Sequence, residues 1–130
     1  MINARAETLT DKPAYRGLIG KYRCLIPADG FYEWTVGRDG KKQPIHFHLP
    51  GYDLFTFAGL WTARTDDAAG EVIESCTIIT TTPNELVAPV HDRMPVILPA
   101  DCEGAWLDPS SSKEHAPSLL RPYPADLMLA

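Results

Sequence analysis

The sequence predicts an α+β protein, built mostly from an antiparallel, barrel-like curled β-sheet with a few short peripheral helices. Apolar and β-branched runs typical of strands dominate residues 22–82. An Asp39-Gly40 pair, typical of tight hairpin turns, separates two of these runs. Helical signals are confined to the two ends of the chain. With 130 residues, 45% of them hydrophobic, residues 1–130 can bury one core, and we expect a single domain.

The first two thirds of the chain predict one short helix followed by strands. Residues 2–21 mix small, charged and turn-forming types, which indicates a loop leading into a helix over residues 14–19. Strands are then expected where apolar residues alternate with polar ones or run together, at residues 22–26, 30–36, 44–49, 54–62 and 72–82.

The last third predicts short helices around one small strand. Thr82 is expected to cap one helical turn over residues 83–87, with Pro83 at its first position. Two helices are expected, over residues 99–107 with acidic residues in the early turns, and over residues 110–120 with a cap at one of Ser110–Ser112. A short strand over residues 95–98 and an irregular tail over residues 122–130 complete the chain.

Two of the three tryptophans and all three cysteines are assigned to the interior. Trp61 and Trp106 are expected in the core, because aromatic residues in regular elements are more often packed than exposed. Cys24, Cys76 and Cys102 are far apart and form no Cys-x-x-Cys pair, so they are expected to be buried hydrophobes, not disulfide partners or zinc ligands. With no leader and no long apolar run, the sequence indicates a cytoplasmic protein.

The charge pattern excludes a uniformly basic nucleic-acid binder. The formal net charge is −5, whereas neutralising phosphates requires clustered lysine and arginine. Cations nevertheless concentrate early in the chain and acids gather within residues 66–74, so the charge pattern is compatible with a basic face on an acidic protein. The early cations are Lys12, Arg16, Lys21 and Arg23.

Two side chains of different type are candidates for moving protons. His91 follows a predicted helical turn and precedes Arg93-Met94-Pro95, in a loop where active residues concentrate. An imidazole can accept or release a proton near neutral pH. Glu33 stands between Tyr32 and Trp34 in a predicted strand, and alternation alone leaves it either outward-facing or partly desolvated.

Other polar residues are candidates for binding. Asn3 and Arg5 read by themselves as loop residues, although a planar guanidinium suits bidentate contact with a phosphate. Glu7 is expected to order Arg5 or Arg93. Trp34 could stack on unpaired bases, and Arg93 together with Lys12 and Arg16 could contact a nucleic-acid backbone. No metal site is predicted, because His46 and His48 share a strand face without a third ligand at sensible spacing.

Six segments carry a distinctive set of motifs: residues 3–7 (NARAE), 23–29 (RCLIPAD), 30–34 (GFYEW), 57–61 (FAGLW), 77–82 (TIITTT) and 91–95 (HDRMP). Taken in chain order, these segments resemble the motif set of the SRAP family, the SOS-response-associated peptidases, which are also called abasic-site processing proteins. The resemblance implies a protein that binds abasic sites in single-stranded DNA and that needs no cofactor, no membrane and no obligate protein partner.

The resemblance also implies roles for individual residues. Glu33 would act as general acid and base beside the terminal amine of a nucleophilic cysteine. His91 would promote opening of the deoxyribose ring and move protons around the resulting imine. Asn3 would position the cysteine and the sugar, and Arg5 would bind a phosphate. In complete members, the cysteine amine condenses with the sugar aldehyde and its thiol then closes a thiazolidine ring, giving a stable DNA–protein cross-link.

The cysteine itself is missing from the expected place. Family members begin Met-Cys-Gly-Arg, whereas position 2 of this chain is Ile2. We therefore expect the chain to lack family segments at both ends, and as written to form no stable cross-link. Three other hypotheses remain open: a cysteine peptidase or other hydrolase served by Glu33 and His91, a non-catalytic single-strand-binding module, and a truncated product without function.

Overall fold

The computed structural model describes residues 3–111 and 115–130. Met1 and Ile2, the place of the expected cysteine, lie outside the described residues, as do residues 112–114 within the predicted last helix. The strands are β1 (Asn3–Arg5), β2 (Arg23–Ala28), β3 (Phe31–Val36), β4 (Lys42–Phe47), β5 (Phe55–Thr65), β6 (Val72–Thr81), β7 (Met94–Pro95) and β8 (Ile97–Leu98). One α-helix, α1 (Ala100–Leu107), and short 3-10 helices at Ala6–Thr8, Pro50–Tyr52, Ala116–Leu119 and Ala125–Leu127 surround them.

Strands β1, β6, β5 and β2 lie side by side in that order and form a curled sheet. Strand β1 runs parallel to β6, whereas β5 is antiparallel to both β6 and β2. This arrangement confirms the predicted α+β fold with a curled, mostly antiparallel sheet. The described residues contain no helix long and apolar enough to cross a membrane.

Strands β5 and β6 separate beyond the Gly59–Ile78 pair, and residues 94–98 fill the space between them. Strand β7 pairs with β6, and β8 pairs with β5. Val96, between the two, donates its N–H to the Ile79 carbonyl and accepts from the Ala58 N–H through its own carbonyl. The backbone groups that the diverging strands expose are therefore satisfied without water.

Strands β3 and β4 form a separate two-stranded hairpin, as the Asp39-Gly40 pair predicted. Gly40 adopts a φ of 77°, in the left-handed region that glycine enters without steric cost. The Asp39 carboxylate accepts a hydrogen bond from the Lys41 N–H at 3.0 Å and stabilises the turn.

Apolar residues cover both faces of the curled sheet at its centre. Phe55 and Phe57 of β5 point into one core cluster, while Ala58 and Leu60 point into the other, as the alternation of a strand requires. The second cluster includes Trp106 of α1, which is fully buried and confirms one of the two tryptophan predictions. Trp61 is 38% exposed, so its prediction was wrong: β5 continues past the core, and Trp61 packs edge-on against Tyr22.

Arg23, one of the four early cations, is buried and therefore adds no charge to a basic face. Its guanidinium donates to the carbonyls of Ile19, Trp106 and Asp108, each at 2.6 Å. These bonds tie the segment before β2 to the end of α1. Cys76 was expected to be buried, and this prediction was wrong. It is exposed because it lies on the part of β6 that extends beyond the core.

Three predicted helical segments differ from the structure. Residues 14–19 form successive turns, since Gly17 and Gly20 weaken a continuous helix. After β6, the cap is not Thr82: the Asn84 side chain accepts from the N–H groups of Leu86 and Val87. Of the predicted helix over 110–120, the described part contains only the 3-10 helix Ala116–Leu119.

Replacing Gly59 with alanine tests the packing at the centre of the sheet. A Cβ there would lie 2.7 Å from Ile26 Cδ1 and 3.0 Å from the Thr77 carbonyl. We expect Gly59→Ala to lower the free energy of unfolding by about 1–3 kcal/mol, measured by urea denaturation. Gly104→Ala is the control: its Cβ meets nothing within 4 Å, and in helix α1 it should raise stability by about 0.5–1 kcal/mol. A neutral Gly59→Ala would contradict this account of the packing.

Candidate active site

A cleft of about 180 Å³ opens between the β3–β4 hairpin and the place where β6 meets β7. It brings together residues from β1, β3, β5 and β6 and from the segment 91–95. Its lining consists of Asn3, Phe31, Tyr32, Glu33, Phe57, Ile78, Thr80, His91, Arg93, Met94 and Pro95.

Glu33 and His91 meet in this cleft although they are far apart in the sequence. His91 Nε2 lies 3.7 Å from Glu33 Oε2. The Glu33 side chain is 25% exposed and that of His91 is 42% exposed, so both can be reached from solvent. Folding thus brings the two candidate proton carriers together in one cleft. Their separation is slightly longer than a hydrogen bond.

The backbone of Arg93 supports the His91 ring in either tautomer. His91 Nδ1 lies 3.1 Å from both the backbone nitrogen and the backbone oxygen of Arg93. An unprotonated Nδ1 accepts from the Arg93 N–H, which leaves the proton on Nε2, facing Glu33. A protonated Nδ1 donates to the Arg93 carbonyl, which leaves Nε2 free to accept. The ring can therefore give or take a proton at Nε2 without moving.

The Arg93 guanidinium is held by an ion pair and by strand β6. It contacts both carboxylate oxygens of Glu7, at 3.2 and 2.9 Å, and donates to the Thr80 carbonyl at 2.9 Å. The hydrogen bonds from Arg93 hold the pKa of Glu7 below its ordinary value. The expectation that Glu7 orders a neighbouring arginine is confirmed. These contacts join the segment after β1 to the loop that carries His91.

Asn3 and Arg5 lie on β1, next to this ion pair. Asn3 is paired with Ile78 of β6 and lines the cleft. Arg5 Nε lies 3.9 Å from Glu7, and its side chain is 68% exposed, against 16% for Arg93. Arg5 is therefore the more accessible cation beside the cleft.

Three other predicted binding residues do not line the cleft. Trp34 follows Glu33 on β3, so its side chain points to the opposite face of the hairpin, where it is 56% exposed. Lys12 and Arg16 are exposed in the turns between β1 and β2. The described residues contain no group of three or more His, Cys, Asp or Glu side chains that could hold a metal ion.

Several residues of the cleft wall were not predicted from the sequence. Thr80 contributes a carbonyl and a hydroxyl to Arg93, and Met94 and Phe57 provide apolar wall. Thr80 belongs to a motif segment but reads as one of several threonines in a strand. Strand alternation could have predicted on which face of β6 Thr80 lies, but not that Thr80 contacts Arg93.

Solved structures of other proteins share this fold over nearly the whole chain. A crystal structure of a protein from Bacteroides thetaiotaomicron matches with a TM-score of 0.91 and 37% identity, over 98% of this chain and 56% of that one. A crystal structure of a protein from Bordetella bronchiseptica matches with a TM-score of 0.86 and 36% identity, over 98% of this chain and 62% of that one.

The SOS response associated peptidase (SRAP) family matches residues 1–130, and the chain belongs to this family. Abasic site processing protein YoaM of Bacillus subtilis is 50% identical over 131 residues, which are 100% of this chain and 57% of that protein. Abasic site processing protein HMCES of Gallus gallus is 35% identical over 141 residues, covering 92% of this chain and 42% of that protein. The chain thus spans about half the length of these relatives.

The Arg93–Glu7 pair should make stability depend on acid pH. Because the folded-state pKa of Glu7 is lowered, the pair stabilises the protein above the ordinary pKa of 4.5 and stops doing so as the pH falls through the folded-state value. Glu7→Gln should therefore cost about 0.5–1 kcal/mol at pH 7, a small value because Glu7 is half exposed, and less at pH 3.

Urea denaturation at both pH values measures this difference. Glu74→Gln, at an exposed carboxylate on the far end of β6, is the matched control and should change stability equally little at both. An equal cost of Glu7→Gln at pH 7 and pH 3 would show that the ion pair is not the source.

Proposed function

We propose that this chain carries the sugar-binding cleft of an abasic-site processing protein that acts on single-stranded DNA. The observation that carries the proposal is the meeting of Glu33 and His91, 3.7 Å apart in a small cleft. The names of relatives at 48–50% identity, all abasic site processing proteins, support the choice of substrate. A cleft of about 180 Å³ has room for a baseless sugar.

The chemistry begins with a sugar that must open. His91 would move a proton from the anomeric hydroxyl to the ring oxygen, which releases the aldehyde. An amine then adds to the aldehyde carbon, forming a C–N bond, and water leaves as the imine forms. Glu33 would take the proton that the attacking amine loses and give one to the departing hydroxyl. Asn3, on β1 at the cleft wall, would orient the sugar.

The stable product requires an amine and a thiol on adjacent atoms of one residue. In the family pattern an N-terminal cysteine supplies both, and its thiol adds to the imine carbon to close the thiazolidine. Cys24, Cys76 and Cys102 are internal, so none has a free α-amine. No cysteine is among the residues that line the cleft. The cysteine-peptidase hypothesis therefore finds no support in the described residues.

Phosphates would be held outside the cleft. Arg5 is the exposed cation beside Asn3, and we assign it to a backbone phosphate. Arg93, already paired with Glu7, would act mainly by positioning His91. Lys12 and Arg16 would contact the DNA strand further from the cleft, and Trp34 would stack on an unpaired base.

The three cysteines have free thiols, which fits a cytoplasmic protein.

The catalytic assignment is tested with abasic single-stranded DNA. The 130-residue chain should form no heat-stable adduct without reductant, although borohydride should trap a transient imine through an amine such as that of Met1 or Lys12. Extended by the family's cysteine-bearing N-terminal segment, it should form a heat-stable adduct, visible on a denaturing gel. In that extended protein, Glu33→Gln or His91→Ala should slow adduct formation about 100-fold.

Glu74→Gln in the extended protein is the control and should react at the unchanged rate. A heat-stable adduct from the 130 residues alone would show that the chemistry does not depend on an N-terminal cysteine. Salt-dependent binding with no adduct from the extended protein would favour the non-catalytic binding module instead.

The phosphate assignment predicts a change in salt dependence. Arg5→Ala should weaken binding to single-stranded DNA and reduce the slope of log K against log salt by about 0.7, the value for one phosphate contact. Arg64→Ala, which removes an exposed cation at the far end of β5, should leave the slope unchanged. Equal losses from both variants would indicate diffuse electrostatic attraction.

A further inference from the structure

The outer face of the β3–β4 hairpin carries a row of stacked rings. Tyr32 stacks on His46 at 4.7 Å between ring centroids, His46 on His48 at 5.1 Å, and His48 on Tyr52 at 4.2 Å. The interplanar angles are 24°, 25° and 12°, so the rings are nearly parallel. We call Tyr32, His46, His48 and Tyr52 the ring row.

The ring row lies on the protein surface and not at the edge of a core cluster. Tyr32 is 63% exposed and Tyr52 is 61% exposed, so rings at both ends are accessible. Tyr52 has a φ of 55°, a left-handed conformation that few residues other than glycine adopt. The Tyr52 ring lies in close parallel contact with the His48 ring.

Cations are concentrated at the tip of the same hairpin. Arg38, Lys41 and Lys42 stand there against the single acid Asp39, in a chain whose net charge is −5. Lys42 pairs with Val36 in the register that pairs Tyr32 with His46, so its side chain starts from the outer face. Asp53, which follows Tyr52, is the acid nearest in sequence to the other end of the row.

The row is continuous with the proposed sugar site. Tyr32 belongs to the ring row and also lines the cleft that contains Glu33 and His91. A strand of DNA that leaves the cleft past Tyr32 would therefore meet the exposed rings at the ends of the row, and its phosphates would lie near a cationic hairpin tip.

We propose that Tyr32 and Tyr52, the exposed end rings of the ring row, stack on unpaired bases next to the abasic site, while the hairpin tip attracts the phosphates of those nucleotides. This inference rests on the proposed function and adds a second surface to it. Ring faces accept any base, which suits a protein that meets lesions in every sequence. A protein partner would not require parallel rings beside cations, whereas flanking nucleotides present both a π-face and a negative charge.

The test compares two ligands that differ only in their bases. One is oligo-dT with a central tetrahydrofuran abasic analogue, and the other has tetrahydrofuran at every position. With the full chain, Tyr52→Leu should weaken binding to the first ligand at least about fivefold, the low end of the loss when one stacking aromatic is removed. It should leave binding to the second ligand unchanged, because that ligand has no bases to stack.

Two variants serve as matched controls. Tyr52→Phe keeps the ring and should bind both ligands as the wild type does. Tyr22→Leu removes a partly exposed tyrosine from the curled sheet, where its ring packs edge-on against Trp61, and should not separate the ligands. Thermal unfolding of each variant identifies losses caused by misfolding, and His48→Leu provides a second way to interrupt the row.

The possible outcomes separate this inference from the proposed function. If Tyr52→Leu and His48→Leu bind oligo-dT with the central abasic analogue as tightly as the wild type does, the stacking inference is wrong. It is also wrong if both variants lose affinity equally for the two ligands. In either case, a wild-type preference for the abasic centre would still support the proposed function. If Tyr52→Leu instead abolishes self-association in sedimentation and leaves DNA binding intact, the row is a contact between copies. Failure of the wild type to bind either ligand overturns both proposals.

Discussion

The hydrogen-bonded register of strand β6 is the constraint on which the site depends. One edge of β6 pairs Asn3 with Ile78, and further along the strand Thr81 pairs with Met94. Residues from the two ends of the described motif set are thereby fixed on opposite sides of one strand, next to Thr80. A shift of β6 by one residue would turn these side chains to the other face of the sheet and remove the cleft wall.

On this frame, the two arginines beside the cleft have different surroundings. Arg93 is largely buried and bound to Glu7 and Thr80, so moving it toward a phosphate would break three or more hydrogen bonds. Arg5 is mostly exposed and carries a long contact of 3.9 Å to the same carboxylate. Desolvation and pairing thus make Arg93 part of the scaffold of His91, and they leave Arg5 available to a ligand.

The sequence predictions failed where local signals compete with tertiary contacts. Thr82 and Asn84 are both good capping residues, and in the structure Asn84 is the cap. Its side-chain amide also donates a hydrogen bond to the carbonyl of Tyr123 in the C-terminal tail, a contact that only folding provides. The sequence around Trp61 predicts a buried strand. Trp61 is exposed because β5 and β6 extend beyond the two core clusters. Arg23 reads as a surface cation, yet three carbonyls brought together by folding satisfy its guanidinium.

The sequence by itself determined the strands, the β3–β4 turn and the family, because strand alternation, the Asp39-Gly40 pair and the ordered motifs are local in the chain. It also marked Glu33 and His91 as candidate proton carriers. Only the tertiary structure decided that they lie 3.7 Å apart, that Arg93 pairs with Glu7, and that Tyr32 and Tyr52 end one row of rings. Those contacts join residues distant in sequence, and their geometry follows from sheet register and packing, which local residue patterns do not encode.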